Sequence, residues 1–328
     1  MFANHIDAGV INGDVKKVPS RNGYGDGLVE AGKRDATIVA LAADLTESTR
    51  TQPFAEMFPK RFIQMGIAEQ NMASVASGMA AMGKIPFIAS YAMFSPGRNW
   101  EQIRTTIAYN NVNVKIVGAH AGISVGPDGA THQALEDIGL MRLIPNMIVI
   151  APCDAIEARK ATLVAAKHNG PVYIRIGRSD TPVVTTEDSP FVLGKASLLY
   201  TKKEGTVKSI GIVVTGTLVY NALMAAVELE KSGIGASILH IATIKPLDGE
   251  ALLQLAETHD AIVTVEEHQV QGGLGGAVAE ALSASHPIKI TRLGITDQFG
   301  QSGEPDELLA HYKLDTPAIV AAANALIA

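Results

Sequence analysis

Two histidines and an aspartate, His120, Asp128 and His132, lie in one glycine-punctuated stretch of this sequence. Imidazole and carboxylate groups can bind a metal ion or transfer protons to and from a bound substrate. The spacing matches no standard zinc pattern, and a glycine-rich loop holds ligands too loosely for a rigid metal cage. We therefore predict no metal site here and favour a catalytic or substrate-binding role for these side chains.

Glu69 is a second candidate, because it stands in the string Gly-Ile-Ala-Glu-Gln-Asn that begins at Gly66. Small residues follow it as far as Gly83, and this pattern predicts a helix that begins near Glu69 and ends at that glycine. A glutamate in the first turn of a helix interacts favourably with the helix dipole, which would account for an isolated residue of this kind. The helix pattern alone therefore assigns no chemistry to Glu69.

The elements that position these residues alternate between short apolar strands and longer helices, which is typical of parallel βαβ units. In the first half we predict strands at 37–42, 85–90, 114–119, 147–151 and 171–176, and helices at 22–33, 69–82, 98–109, 133–143 and 155–168. In the second half we predict strands at 209–215, 235–241, 261–266 and 288–293, and helices at 218–232, 249–258, 275–283, 305–311 and 317–327. The connector at 179–205 has room for one short strand. The predicted fold class is α/β, with two domains, at 1–190 and 191–328, that each contain a mainly parallel sheet flanked by helices.

Functional residues of open parallel sheets lie just past the carboxyl ends of the strands. In the first domain this rule selects the segments that begin at Asp44, Tyr91, His120 and Gly177. The second domain offers the Glu-Glu-His string at 266–268 and a glycine cluster at 272–275, and a short glycine cluster is a weak signal for phosphate binding. We therefore expect the functional groups on one edge of the first sheet and assign the second-domain strings a structural role.

The composition excludes several classes of protein. The chain has 328 residues, of which 47% are hydrophobic and 18% charged, so it can bury a large core. Its net charge of −6 is spread along the chain, and no basic run indicates nucleic acid or an anionic membrane surface. The single cysteine, Cys153, excludes an internal disulfide and fits a reducing compartment. Residues 1–20 lack the apolar segment of a secretory signal, and no stretch approaches the ~20 apolar residues that span a bilayer, so we expect a cytoplasmic protein without a membrane partner.

Three strings of the chain, at 41–48, 66–71 and 120–133, resemble strings of transketolases in the same order. The resemblance runs from about residue 22 to 178 and continues more loosely through Ala277 and the string at 299–303. It covers the pyrimidine-binding and C-terminal domains of that family, and so implies the C-terminal subunit of a split transketolase. The reaction it implies is transfer of a two-carbon ketol unit between ketose and aldose phosphates, with thiamine diphosphate as the cofactor.

The same resemblance implies roles for residues at the cofactor. It makes Glu69 the carboxylate that bonds to the far nitrogen of the aminopyrimidine ring and thereby activates the cofactor. It assigns Phe94 to stacking on that ring, and the nearby Tyr91 and Trp100 could share this role. Core or interface packing would explain any one of these aromatic residues equally well. Asp44 matches a residue near the thiazolium ring and the subunit interface.

For the substrate, the resemblance assigns His120 to the sugar phosphate or a hydroxyl, and Asp128 to a hydroxyl of the acceptor. His132 would lie at the reacting carbons and take part in proton transfers, so both histidines are catalytic candidates. Arg178 matches a phosphate-binding arginine, whose planar guanidinium suits forked hydrogen bonds to phosphate. Ser48 would add a hydroxyl donor there.

The resemblance also implies that part of the cofactor site lies outside this chain. The Gly-Asp-Gly triplet at 25–27 looks like the start of the family's metal motif, but it opens a predicted helix, and no asparagine occurs from residue 37 to 70. The resemblance therefore implies a separate N-terminal subunit that carries the diphosphate-binding domain and the ligands of Mg²⁺ or Ca²⁺. We expect an α2β2 assembly in which this chain forms a homodimer.

Three other interpretations remain open. Deoxyxylulose-phosphate synthases share the strings at 66–70 and 128–132 but usually have an arginine where this chain has His120. The beta subunits of two-oxo-acid dehydrogenase complexes have a similar length and architecture but lack both strings. A non-catalytic interaction subunit would be expected to have lost some of the candidate residues, all of which are present. Transketolase is therefore the favoured interpretation.

Overall fold

The computed structural model describes residues 1–327 as two α/β domains. The strands, in chain order, are β1 (Ile38–Ala42), β2 (Phe62–Gln64), β3 (Ile85–Tyr91), β4 (Lys115–Ala119), β5 (Ile148–Ile150), β6 (Val172–Arg175), β7 (Ser197–Tyr200), β8 (Lys208–Val214), β9 (Ile234–His240), β10 (Thr243–Lys245), β11 (Ala261–Gln269) and β12 (Ile290–Ile295). The helices are α1 (Ala8–Asn12), α2 (Ser20–Arg34), α3 (Gln52–Met57), α4 (Glu69–Ala81), α5 (Trp100–Gln102), α6 (Asp137–Arg142), α7 (Ala155–Lys167), α8 (Val219–Lys231), α9 (Gly249–Glu257), α10 (Leu274–Ser285), α11 (Pro305–His311) and α12 (Thr316–Ile327). Within the described range, none of these helices combines the length and the apolar character needed to cross a membrane.

Each domain is built on one sheet. The first sheet has the strand order β10-β5-β6-β4-β3-β1-β2, and the second has the order β12-β11-β8-β9-β7. Neighbouring strands pair in parallel, except for the antiparallel edge strands β10 and β7. The predicted fold class, two mainly parallel sheets flanked by helices, is thereby confirmed. Strand β10 follows the second-domain strand β9 but pairs with β5, so the chain briefly returns to the first sheet.

The apolar cores explain why the strands are continuous hydrophobic runs in the amino-acid sequence. Strands β1 and β4 are buried along their whole length, as expected for parallel strands that are covered on both faces. One cluster of the first domain contains Leu28 and Phe54. A second cluster joins Met72 and Ile107 of the first domain to Leu274 of the second, so the two domains share part of their core.

Several elements depart from the sequence-based expectations. The predicted helix at 98–109 is instead the short α5 followed by a π-helical segment, Ile103–Ala108. The helix predicted at 133–143 begins only at Asp137, because the loop after β4 continues as far as residue 136. Strands β2 and β10, which are three residues each, and the short helices α1 and α3 were not predicted. The short strand expected in the connector is β7.

The strand order brings the candidate residues together. Strands β6, β4, β3 and β1 are neighbours in the first sheet. Their carboxyl ends place Arg178, His120, Tyr91 and Asp44 along one edge of that sheet. The first turn of α4 reaches the same edge, since Glu69 contacts Ser90 near the end of β3.

Candidate active site

Glu69 begins helix α4 but is buried, with 1% of its surface exposed. Its Oε1 accepts a hydrogen bond from the Ser90 hydroxyl at 3.2 Å, and its Oε2 lies 2.5 Å from Nη1 of Arg98. The side-chain amide of Asn99 donates to the Glu69 carbonyl oxygen at 3.1 Å. A glutamate that served only the helix dipole could remain in water at no cost, whereas burying a carboxylate requires partners of this kind. The surroundings of Glu69 therefore favour a functional role over the simple dipole interpretation.

Aromatic and imidazole rings form one cluster beside this carboxylate. The rings of Tyr91 and His120 stack with their centres 3.9 Å apart, and Phe94 meets His132 edge-on at 5.5 Å. Tyr91 and Phe94 lie 6.1 Å apart and nearly parallel. Such a set of rings offers flat apolar surfaces to a planar heterocycle, with nitrogen atoms nearby that can exchange protons.

His120 follows β4 in a left-handed backbone conformation, with φ at +53°, which is uncommon outside glycine. Burial and the nearby positive charges of Arg21 and Arg178 lower the pKa of His120 to about 3, so its ring is neutral at neutral pH. Nη1 of Arg21 lies 3.4 Å from Nε2 of His120, and because a guanidinium can only donate, Nε2 acts as the acceptor. The ring proton is therefore on Nδ1, a buried atom that has no hydrogen-bond partner within residues 1–327.

The guanidinium groups of Arg50 and Arg178 lie close enough to that of Arg21 to influence it. Burial and the charges of Arg50 and Arg178 lower the pKa of Arg21. In the described part of the chain, no carboxylate forms an ion pair with any of the three. The charge of Asp180 also acts on Arg21, but the three guanidinium groups outnumber it. A local excess of positive charge in a protein whose net charge is −6 indicates a site for an anion. Phosphate is a natural occupant, because guanidinium groups bind it through paired hydrogen bonds.

Two members of this cationic group, Arg21 and Arg50, were not among the sequence candidates. Arg21 lies in the first turn of α2, and its Nη1 donates to the Ser48 carbonyl oxygen at 2.9 Å. Nε of Arg50 donates to Oδ1 of Asn22 at 2.8 Å. A positive charge in the first turn of a helix interacts unfavourably with the helix dipole. This unfavourable position could have marked Arg21 as a functional candidate in the sequence. No comparable signal marks Arg50, whose position depends on how the segment after β1 packs on α2.

The remaining candidates differ in how closely they join the site. Nδ1 of the half-buried His132 lies 2.9 Å from the Thr131 hydroxyl. Asp44 and Asp128 are exposed at the margin of the site. Trp100 packs against the shared apolar core, and its indole N–H donates to the Leu140 carbonyl oxygen at 3.1 Å, which directs its polar edge toward α6.

The Gly-Asp-Gly triplet at 25–27 lies inside α2, as predicted. A Cβ atom at Gly25 would lie 2.7 Å from the Arg50 carbonyl oxygen, and one at Gly27 would lie 2.9 Å from the Arg159 carbonyl oxygen. These glycines therefore allow neighbouring segments to pack closely on α2.

Family comparisons agree with this arrangement. The model of the transketolase pyrimidine-binding domain matches residues 16–183, and the model of the transketolase C-terminal domain matches residues 200–319. The chain belongs to the transketolase family. The two matched regions correspond to the sheet that carries the candidate site and to the sheet that follows it.

Individual relatives have nearly the same length as this chain. A protein named as a transketolase C-terminal section, from Methanocaldococcus jannaschii, is 48% identical over 303 residues, which cover 91% of this chain and 93% of the relative. A 6-deoxy-6-sulfo-D-fructose transketolase subunit from Clostridium sp. strain MSTE9 is 43% identical over 304 residues, which cover 93% of each chain. A solved structure described as a split-gene transketolase in an inactive beta4 tetramer is 45% identical with a TM-score of 0.85, and the match covers 94% of this chain and 98% of that chain.

Proposed function

We propose that this chain is the C-terminal subunit of a thiamine-diphosphate-dependent transketolase that works with a separate N-terminal subunit. The reaction would transfer a two-carbon ketol unit between ketose and aldose phosphates. The observation that carries this proposal is the buried carboxylate of Glu69, which lies at one sheet edge with stacked aromatic rings and a group of three guanidinium groups. Membership of the transketolase family supports the same reaction class.

The residues at this edge fit the aminopyrimidine half of thiamine diphosphate. Glu69 would hydrogen-bond to the far ring nitrogen, because its buried carboxylate lies beside the aromatic cluster, in contact with Ser90. Phe94 and Tyr91 would supply flat surfaces for the ring, whereas Trp100 packs against the shared apolar core. Asp44 would lie near the thiazolium ring and the subunit boundary. When bound, thiamine diphosphate supplies the carbanion chemistry that breaks and forms carbon–carbon bonds.

The remaining groups suit a sugar phosphate. Arg178 and Arg21 would bind the phosphate with Ser48, and their positive charges would also favour entry of an anion. His120 would donate its Nδ1 proton to a sugar oxygen, since Nε2 is already an acceptor for Arg21. His132 would contact the reacting carbons and exchange protons there, and Asp128 would accept a hydrogen bond from a hydroxyl of the acceptor sugar.

A partner subunit would complete the cofactor site. The matched domains are the pyrimidine-binding and C-terminal domains, and relatives of nearly equal length include a solved structure described as split-gene. We therefore infer that the diphosphate-binding domain and the ligands of Mg²⁺ or Ca²⁺ belong to an N-terminal subunit. The assembly would contain two copies of each chain and include a homodimer of this chain.

A sulfonated ketose is the second candidate substrate, because one relative at 43% identity is named for a 6-deoxy-6-sulfo-D-fructose transketolase. Guanidinium groups bind sulfonate and phosphate through the same oxygen geometry. The deciding assay therefore needs both kinds of donor.

The first test is a two-carbon transfer assay with xylulose 5-phosphate, ribose 5-phosphate, thiamine diphosphate and Mg²⁺. The chain is assayed alone, with its N-terminal partner, and with the partner after Glu69→Gln. We expect activity only in the mixture, and a loss of roughly 10²-fold or more in kcat for the variant, because a neutral amide cannot activate the pyrimidine. Glu257→Gln, an exposed residue of α9, is the matched control and should retain full activity.

Activity of the chain alone would contradict the need for a partner. An inactive mixture with phosphate donors that becomes active with 6-deoxy-6-sulfo-D-fructose would replace the substrate assignment while keeping the reaction class. Inactivity with both donors, in a mixture that binds the cofactor, would overturn the transketolase proposal.

A further inference from the structure

Glu267 links the second domain to the loop that carries three of the candidate residues. It lies in β11 and is buried, with 3% of its surface exposed. Its Oε2 accepts a hydrogen bond from the backbone N–H of Ser124 at 2.9 Å, and its Oε1 accepts one from the Thr217 hydroxyl. Ser124 belongs to the first domain, in the loop between His120 and Asp128. We propose that Glu267 is a positioning residue that fixes the backbone of this loop, and the proposal rests on the function proposed above.

The loop is shaped around this carboxylate. Gly122 has φ at +91°, and a Cβ atom at this position would lie only 2.4 Å from Oε2 of Glu267. The carboxylate therefore occupies the space that a side chain on the loop would fill. Hydrogen bonds from backbone N–H groups to carboxylates are charge-assisted and stronger than bonds between neutral groups. Because both oxygens of Glu267 act as acceptors, loss of either donor would leave a buried polar atom without a partner.

The backbone of Glu267 is held as well. Nη2 of the buried Arg175 donates to the Glu267 carbonyl oxygen at 2.7 Å, while Nε of the same guanidinium donates to Oδ2 of Asp137 at 2.9 Å. Arg175 ends strand β6 in the first sheet, and Asp137 begins α6 directly after the loop. Arg175 of the first domain thus fixes the backbone of β11 at Glu267. This contact holds the Glu267 carboxylate in position against the loop.

The far end of the loop also rests on the second domain. Nε2 of Gln133 donates to the Gln301 carbonyl oxygen at 2.9 Å. A Cβ atom at Gly129 would lie 2.6 Å from the hydroxyl oxygen of Ser302. Groups of the second domain therefore contact the segment between His120 and Gln133 near both of its ends. Glu267 supplies the charged contact.

Glu266 provides a matched control for Glu267. It precedes Glu267 in β11 and is equally buried, but its two oxygens accept the backbone N–H groups of Leu274 and Gly275 at 2.6 and 2.7 Å. Both of these contacts lie inside the second domain. Loss of either glutamate should reduce stability, but only loss of Glu267 should loosen the loop.

The test is amide hydrogen exchange of the isolated chain, read over residues 122–132, for wild type, Glu267→Gln and Glu266→Gln. Glu267→Gln removes the negative charge and leaves one acceptor oxygen in place of two, so the charge-assisted bond from the Ser124 N–H weakens and we expect loop exchange to rise about tenfold or more. Glu266→Gln should raise exchange at the start of α10 and leave the loop unchanged. Equal loop exchange in wild type and Glu267→Gln would overturn the proposal, as would an equal rise in both variants.

Thr217→Val keeps the test decisive if Glu267→Gln fails to fold. It removes only the hydroxyl that orients Oε1, and loop exchange should still rise by a smaller factor. Unchanged loop exchange in this variant would contradict the proposal.

In the reconstituted assembly, Glu267→Gln should raise the KM for both sugar phosphates several-fold, with little change in the Kd of thiamine diphosphate. Glu69 and Phe94 lie outside the loop, so their contact with the cofactor should persist. A weakened cofactor affinity with unchanged KM would overturn the proposed role. A wild-type assembly that binds the cofactor but is inactive with both donors would refute the proposed function, whereas the exchange data would still decide whether Glu267 holds the loop.

Discussion

Arg98 contacts both side chains that we propose to hold the aminopyrimidine ring. Its Nη1 lies 2.5 Å from Oε2 of Glu69, and its guanidinium lies 4.7 Å from the centre of the Phe94 ring. This residue was not among the sequence candidates, because nothing in its neighbourhood of the sequence indicates a contact with Glu69. A ring that stacked on Phe94 and bonded to Glu69 would compete with Arg98 for both partners, so cofactor binding should require Arg98 to move.

Replacement of Arg98 by methionine should therefore tighten cofactor binding. The free subunit would lose the partner of a buried carboxylate, and bound thiamine diphosphate would restore one. Because the Arg98 side chain is 40% exposed, the ion pair is partly screened, and we expect the Kd to fall only about threefold to tenfold. Isothermal titration of the reconstituted assembly measures this effect. Arg98→Lys keeps the charge and serves as the control; weaker binding in Arg98→Met would show that Arg98 assists the bound cofactor instead.

Helix α2 shows how an element places the anion-binding groups. Arg21 lies in its first turn, and the hydroxyl of Ser20 accepts a hydrogen bond from the backbone N–H of Gly177 at 2.8 Å. The start of α2 is thereby tied to the segment that carries Arg178. Along its length α2 packs closely on α7, and a Cβ atom at Gly23 would lie 1.8 Å from the Ala155 carbonyl oxygen. The position of Arg21 therefore depends on a glycine at this contact.

Gly23→Ala should lower the free energy of unfolding by about 1–2 kcal/mol, because overpacking against backbone falls in the upper part of its usual ~1–3 kcal/mol range and outweighs the ~1 kcal/mol that alanine adds in helix propensity. Urea denaturation of the isolated chain measures the change. Gly78→Ala in α4 is the matched control, since no atom lies within 4 Å of the Cβ position there, and it should be neutral or stabilising. Equal stability of Gly23→Ala and wild type would contradict the packing argument.

Elements with their own local pattern were predictable, and elements that depend on distant partners were not. The fully buried strands β1 and β4 were recognised from their apolar runs, and α4 from its small residues and terminal glycine. Strand β10 has three residues, and its partner β5 lies about ninety residues earlier in the sequence, so no local signal predicts the pair. The same reason explains the site: Glu69 and His120 carry sequence motifs, whereas the contacts of Arg50 and Glu267 arise only from packing.

At the scale of the whole molecule, a buried ion pair joins the two domains. Nε2 of His240, at the end of β9, lies 2.8 Å from Oε2 of Glu157 in α7, and both side chains are buried. The same carboxylate oxygen accepts the backbone N–H of Cys153 at 2.7 Å. Burial, Glu157 and Asp154 raise the pKa of the Cys153 thiol well above its usual range, so this cysteine stays protonated and unreactive at neutral pH. The Glu157–His240 pair is thus a buried charged contact between the two domains.

Titration of this pair should make the stability of the molecule depend on pH. Burial disfavours the charged form of His240, but the Glu157 carboxylate outweighs it and raises the pKa of His240. Burial likewise opposes the charged form of Glu157, but His240 and the Cys153 backbone lower its pKa overall. The stabilisation from His240 is complete below its ordinary pKa of about 6.5 and is lost as the pH rises through the raised value. The stabilisation from Glu157 is complete above its ordinary pKa of about 4.3 and is lost as the pH falls through the lowered value.

His240→Gln should therefore remove a pH-dependent part of the stability. Glutamine keeps a donor of similar reach but carries no charge, so we expect the free energy of unfolding at pH 6 to fall by about 1–3 kcal/mol. The difference between variant and wild type should shrink as the pH rises from about 6.5 through the raised pKa of His240, because folding of the wild-type protein must then take up a proton. Urea denaturation of both proteins between pH 5 and 9 measures this, with exposed His311→Gln as the control that should leave the pH dependence unchanged. A constant difference across the range would show that His240 contributes only a neutral hydrogen bond between the domains.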